Sequence, residues 1–326
     1  MKKKLLALTL ALALSAGLLA GCAPKEEEPA GESPENTPAA QSPSPTPEAT
    51  PEGSLVRLGV LTGPTGMGAA KLLSDNKAGE SVNQYEVTVA SSPTDEIVPM
   101  LNNGELDIAA VPTNLAANLY NKTDGVRLLA LNTLGVLHIL EIGESVSTMA
   151  DLEGRTIYAT GEGSNPEYVL DYLLTKNGLD PDTDVDIQWL ASEELTARMA
   201  AGEIDLAMLP VPAATTVMMQ NSDVRDAIDL NDAWEQAGAG GTFTMGCVVA
   251  RTQFLEENPE AVDAFLKEYQ ASIQYANENV EEAAGMMEEF GIVPKPAVAK
   301  AAIPQANMVY LAGEDLKGIS DYYQVH

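Results

Sequence analysis

Short apolar runs, broken by glycine and proline, recur along the chain, and two of them are nearly the same phrase. Gly104-Glu-Leu-Asp-Ile-Ala-Ala-Val-Pro112 returns 98 positions later as Gly202-Glu-Ile-Asp-Leu-Ala-Met-Leu-Pro210. The match extends upstream at the same shift, as an internal repeat should. Arg57–Gly63 lies over Arg155–Gly161, each a short apolar run ending in Thr-Gly, followed by a Gly/Pro/Ser loop and a helical pattern (67–73 and 168–174). Tyr85-Glu-Val-Thr-Val89 and Asp184-Val-Asp-Ile-Gln-Trp189 then alternate as half-buried strands do. Acidic residues after Pro93 and Ala191 mark the first turn of a helix, where the dipole favours them. Gly104 and Gly202 suit left-handed helix ends, and strands 106–111 and 204–209 close on Pro112 and Pro210.

Each copy therefore predicts strand–helix–strand–helix–strand, the unit that builds a parallel sheet by right-handed crossovers. The expected fold class is α/β, with two similar lobes, each a mostly parallel sheet flanked by helices. The first lobe is expected over 55–142 and the second over 143–242. Runs 126–132 and 134–142 are expected to finish the first lobe and cross to the second. A return strand at 244–250 and a C-terminal helical collar within 243–326 then lead back to the first lobe. In the collar, Asn258-Pro259-Glu260 reads as a helix start, with Val262, Phe265, Leu266, Tyr269 and Ile273 on one face. Helical patterns at 280–290 and 314–325 should pack beside it.

The N-terminus is different in kind. Lys2, Lys3 and Lys4 precede an apolar run from Leu5 to Ala20, the pattern of an export signal, expected over 1–21. The run stops at Leu19-Ala20-Gly21-Cys22, which resembles the lipobox of bacterial lipoproteins, so Cys22 is the expected lipidation site. No later apolar run approaches the roughly 20 residues a membrane span needs, so the mature chain is expected to be lipid-anchored. Residues 22–54, rich in Pro, Glu and Ser and lacking aromatics, read as a disordered tether between lipid and folded body. If Cys22 is lipidated, Cys247 has no partner for an intrachain disulfide. A formal charge of −30 argues against nucleic acid or an anionic membrane surface as partner.

Catalytic and metal-binding patterns do not emerge. Gly63-Pro-Thr-Gly-Met-Gly68 sits between a strand and a helix, but Ala69 stands where a phosphate loop needs lysine. With only His138 and His326, no zinc motif is available, and no metal or other cofactor is expected. Gly161-Glu-Gly-Ser-Asn-Pro166 does not match the nucleophile elbow. Cys247, among apolar strand residues, reads as an inert buried thiol. The chain does not read as an enzyme.

With Gly63-Pro-Thr-Gly-Met67, Asn103–Asn114, Asp151-Leu-Glu-Gly154 and Asn258-Pro-Glu260, the body from about Leu55 onward resembles extracellular solute-binding proteins of ABC importers. The nearer likeness is to the branch associated with nitrate, sulfonate, taurine and thiamine-pyrimidine precursors. That resemblance implies a two-lobed type II periplasmic-binding-protein fold that closes on a small organic solute. It implies as partners a membrane permease and its ATPase, a monomeric state, and an extracytoplasmic location, with a Gram-positive surface favoured. A ligand-sensing surface lipoprotein is the alternative. A thiamine-pyrimidine-synthase-like enzyme on this fold would need a metal-binding cysteine or histidine cluster.

In open α/β sheets, ligands sit beyond the carboxyl ends of the strands. The candidate ligand-binding residues are accordingly Thr62, Thr65 and Gly66 after the first strand, Ser91 and Ser92 after the second, and Thr113 and Asn114 after the third. Gly163, Ser164, Asn165 and Trp189 face them from the second copy, with Trp189 as a stacking surface. Backbone N–H groups at these helix starts can donate to a polar ligand. None of these loops contains Lys or Arg, which favours a neutral, zwitterionic or cationic solute over a strongly anionic one.

Overall fold

The computed structural model describes residues 53–238 and 241–316. The export signal, Cys22, the tether as far as 52, and 317–326 lie outside the described residues. The chain runs β1 (Leu55–Leu61), α1 (Pro64–Met67), α2 (Ala70–Ala78), β2 (Gln84–Ala90), α3 (Val98–Asn102), β3 (Ile108–Pro112), α4 (Thr113–Thr123) and β4 (Val126–Leu134). It continues through β5 (Leu137–Ile142), β6 (Thr156–Ala159), α5 (Asn165–Lys176), β7 (Asp186–Trp189), α6 (Ser192–Ala200), β8 (Leu206–Pro210), α7 (Ala213–Gln220), β9 (Val224–Asp229) and α8 (Leu230–Gln236). After β10 (Thr244–Arg251) come α9 (Thr252–Glu257), α10 (Pro259–Glu278), α11 (Val280–Glu289), α12 (Pro296–Ala302) and β11 (Met308–Ala312).

The strands form two mixed sheets, ordered β11-β4-β10-β3-β1-β2 and β7-β6-β8-β5-β9. Within each, the repeated strands pair in parallel (β2-β1-β3 and β7-β6-β8), and the next strand, β10 or β5, runs against them. Most strands in each sheet point the same way, as expected.

The repeat is written in the core as well as in the strands. Between the first sheet and the helices α3 and α4 lie Ile97, Leu101, Leu106, Ala109, Val111, Ala116 and Leu119. Adding 98 to each gives Leu195, Met199, Ile204, Ala207, Leu209, Ala214 and Val217, which fill the same layer beneath α6 and α7. Burying a large aliphatic side chain contributes about 1.5–3 kcal/mol, so matched inward positions are strong constraints on both lobes.

The helix ends repeat too. Gly104 has φ 74° and Gly202 φ 76°. At the first, Glu105 N–H donates to Met100 O (2.8 Å), and at the second Glu203 N–H donates to Arg198 O (2.9 Å). This is the Schellman closure, which needs a left-handed residue that glycine adopts without a Cβ penalty.

Three expectations are corrected. Residues 137–142 were assigned to the first lobe, but β5 lies in the second sheet, between β8 and β9. The crossing therefore falls at Gly135-Val136. Asn258 does precede α10, yet its side chain bonds back to Phe254 O instead of capping the helix. The collar has an extra member: β11 is an edge strand of the first sheet, antiparallel to β4. Of the helix expected at 314–325, the described part, 314–316, lies in a 3-10 turn over Gly313–Leu316, and the rest lies outside the described residues. The collar does pack on the first lobe, α10 and α11 against α2, while α12 also touches α7 of the second lobe.

Candidate binding site

The carboxyl ends of the repeated strands meet where the two lobes touch. Asn165, the first residue of α5, is 8% exposed and reaches from the second lobe into the first. Its Nδ2 donates to Thr113 Oγ1 (2.7 Å) and Met245 O (2.9 Å), with Thr244 O at 3.5 Å. Its Oδ1 accepts from Asn114 N–H at 3.3 Å. Thr113 in turn donates to Thr244 O at 3.4 Å. These contacts shut the centre of the crevice and bring three of the candidate residues, Thr113, Asn114 and Asn165, into one cluster. The Oδ1 of Asn114 is buried there without a hydrogen-bond partner.

The loop after β1 is held by buried polar side chains of the first lobe. Thr62 is exposed, and its N–H donates to Ala90 O at 2.9 Å, which ties the first two loops together. Thr65 offers its carbonyl to Asn132 Nδ2 (3.0 Å), and Asn132 also donates to Tyr269 Oη (2.9 Å). Ser272 donates to Gly68 O at 2.7 Å and accepts from Leu72 N–H at 3.0 Å. A Cβ on Gly66 would stand 1.8 Å from Leu61 O, so this turn admits only glycine. Such satisfied networks fix a loop before any ligand arrives.

Ser91 and Ser92 are consumed locally. Both of their N–H groups donate to Glu96 Oε2 at 2.8 Å, and Ser92 Oγ donates to Asp95 Oδ2 at 2.9 Å. In the second lobe, the Gly163 N–H donates to the Glu167 carboxylate. Gly163 has φ 70° with open space around its Cβ direction, so the residue is needed for its backbone conformation and not for close approach. Ser164 sits at the start of α5 and makes no side-chain cap, while its carbonyl accepts from Glu167 N–H at 3.1 Å. Trp189 is half-buried at the end of β7 and packs against the main core with Ile187 of the same strand face.

Sequence reasoning missed two contributors. The backbone of Thr244 and Met245, at the start of the return strand, receives Asn165, and the loop before α12 borders the first candidate loop through Gly63 N–H donating to Ile292 O at 2.9 Å. Neither belongs to the repeat, so the 98-residue shift could not point to them.

Cys247 and His138 both sit in structural settings. Cys247 is fully buried, which pushes its thiol pKa well up and keeps it inert. His138 is buried, which disfavours its charge, yet the hydrogen bond to Asp226 (2.9 Å) and the nearby Asp229 and Asp232 carry its pKa above the usual value. Among the described residues, no group of His, Cys, Asp and Glu is placed to hold a metal ion.

Comparison with known proteins follows this geometry. The family model described as NMT1/THI5 like matches residues 86–283. The chain belongs to the NMT1/THI5-like family. A Brucella abortus (strain 2308) protein described as a binding protein is 24% identical over 169 residues, covering 52% of this chain and 51% of its own. The chain thus spans about half the length of the curated relatives it matches. An ABC transporter protein from Parabacteroides distasonis has the same fold, with TM-score 0.69, 24% identity, and coverage of 83% of this chain and 91% of that one. The periplasmic aliphatic sulphonate binding protein SsuA of Escherichia coli follows at TM-score 0.65 and 17% identity (83% and 87% covered). The periplasmic nitrate-binding protein NrtA of Synechocystis PCC 6803 aligns at TM-score 0.59 and 14% identity (81% and 75% covered). The two-lobed α/β fold is therefore that of periplasmic binding proteins.

Proposed function

We propose that this member of the NMT1/THI5-like family is the solute-capturing component of an ABC importer, not an enzyme. One observation carries the reading: a buried side chain from one jaw, Asn165, is hydrogen-bonded only to the other jaw, at the carboxyl ends of both sets of repeated strands. A clamp that closes on a small organic solute needs this arrangement, because a ligand shifts an open–closed equilibrium only through contacts that differ between the two states. Thr62, Thr65, Gly66, Thr113, Asn114 and Asn165 line the jaws in this reading, with Ser91, Ser92, Gly163, Ser164 and Trp189 supporting their walls. The closed form is what the permease and its ATPase recognise. The lipobox at Cys22 anchors a single copy to the outer face of the cell membrane, with the following segment as its tether.

Deleting the gene in its host should abolish uptake of the solute that co-purifies with the natively isolated protein. Undiminished uptake would refute the importer role. Cys22→Ser should release the protein from the membrane fraction or leave its precursor uncleaved, and wild-type fractionation and processing of that variant would refute the anchor.

A further inference from the structure

We infer that the crevice selects cationic or neutral solutes bearing N–H donors and turns anionic solutes away, an inference that rests on the crevice being the binding site. Anion capture on this kind of fold draws on unpaired backbone N–H groups where strands pass into helices. Here the chain has filled three of those positions, Ser91, Ser92 and Gly163, with its own carboxylates. Glu96 takes the N–H groups of both Ser91 and Ser92, each at 2.8 Å, on the wall of the first lobe. Glu167 takes the N–H of Gly163 on the wall of the second. In the closed crevice Asn165 also takes the N–H of Asn114 at the centre. An incoming sulfonate or nitrate would have to displace a carboxylate already seated on the donors it needs.

Electrostatics acts in the same direction. The two serine amides hold the Glu96 carboxyl below the usual carboxylate range, so it stays ionised at neutral pH. Asp95 stands beside it, bonded to Ser92 Oγ. The loops 62–67, 91–94, 112–115, 161–166 and 209–213 contain no Lys or Arg to offset these charges, within a chain of formal charge −30. A rim lined by one sign of charge concentrates solutes of the other sign. What the centre still offers is an acceptor: Asn114 Oδ1, buried and unpartnered, which a solute N–H would satisfy. The similar folds of proteins named for sulphonate and nitrate binding therefore do not carry over their ligand charge.

The test is calorimetric titration of the full chain with ethanesulfonate and with nitrate, for wild type and for the double variant Glu96→Ala/Glu167→Ala. Wild type should show no binding up to about 10 mM, whereas the variant, its amides freed and two charges removed, should bind ethanesulfonate at least about tenfold more tightly. Micromolar binding of either anion by wild type overturns the inference, and so does a folded double variant that gains nothing. If the alanine variant does not fold, Glu96→Gln/Glu167→Gln, whose amide oxygens can still accept those N–H groups, tests the charge alone: it should also bind ethanesulfonate more tightly than wild type, and no gain overturns the inference. Failure here is separable from failure of the importer reading, which shows as unchanged uptake on gene deletion whatever the charge of the solute.

Discussion

Asn165→Ala removes the hydrogen bonds that close the centre of the crevice and leaves each jaw intact. Asn165 opens α5, where alanine is at least as good a helix former, so the variant should not unwind the helix. Two of its bonds are well formed (2.7 and 2.9 Å) and a third is long at 3.3 Å. At about 1 kcal/mol for each good bond and about half that for the long one, the closed state loses roughly 2–3 kcal/mol. The released partners are hydrated on opening, so the loss falls on the closed state alone. With 1.4 kcal/mol per tenfold, the closed-to-open ratio should drop by a factor of about 30–150. Small-angle X-ray scattering of the solute-free protein should report a larger radius of gyration for the variant. Affinity for the co-purified solute should weaken by a similar factor, while the thermal midpoint of each lobe changes little. If scattering and affinity both match wild type, Asn165 does not hold the jaws and the closed crevice has another cause.

Asp107→Asn should lower stability by about 2–3 kcal/mol, a midpoint drop of roughly 5–10 °C, because two arginines lose a buried partner, with part of the loss screened by water around half-exposed Arg57. A change under about 2 °C in a calorimetric scan contradicts this. Burial would raise the Asp107 pKa, but the bonds from Arg57 and Arg251 outweigh it and hold the carboxyl low. Its stabilisation is thus fully present above its unfolded value near 3.8 and lost as pH falls through the lower folded value, so urea midpoints should fall in that acid window for wild type and less for the variant. Gly135→Ala, at the lobe crossing, would place a Cβ 1.9 Å from Asn231 Oδ1 and 2.4 Å from Phe243 Cδ1. It should cost about 1–3 kcal/mol by overpacking, and an unchanged thermal midpoint would show that the crossing relaxes freely.

Much of the architecture was legible because helices and strands announce themselves by local periodicity, and because a duplicated core must repeat its apolar positions. Ile97/Leu195, Leu101/Met199 and Leu106/Ile204 lie 98 apart and point into equivalent layers, so the repeat in the sequence is the repeat in the packing. That Thr113, Asn114 and Asn165 start the helices following the repeated strands was legible for the same reason. Which acceptor fills which N–H was not. Glu96 and Glu167 look like ordinary first-turn acids until the folded loops place their carboxylates on Ser91, Ser92 and Gly163.

The aspartate of the repeated phrase marks the limit most clearly. Asp107 and Asp205 occupy the same place in the same words, each with an arginine 50 residues upstream, Arg57 and Arg155. In the first lobe the return strand β10 delivers Arg251 from 144 residues away, and Asp107 is buried between two guanidinium groups. In the second lobe the strand in the corresponding position is β5, which brings Glu141; Arg225 pairs with it, Arg155 turns to Ser145 at 2.8 Å, and Asp205 stays exposed. Local pattern determined that a strand begins at each aspartate. Whether that carboxylate is buried depended on which strand crosses over to lie beside it, because burying an ion is tolerated only where neighbours supply opposite charge and hydrogen bonds.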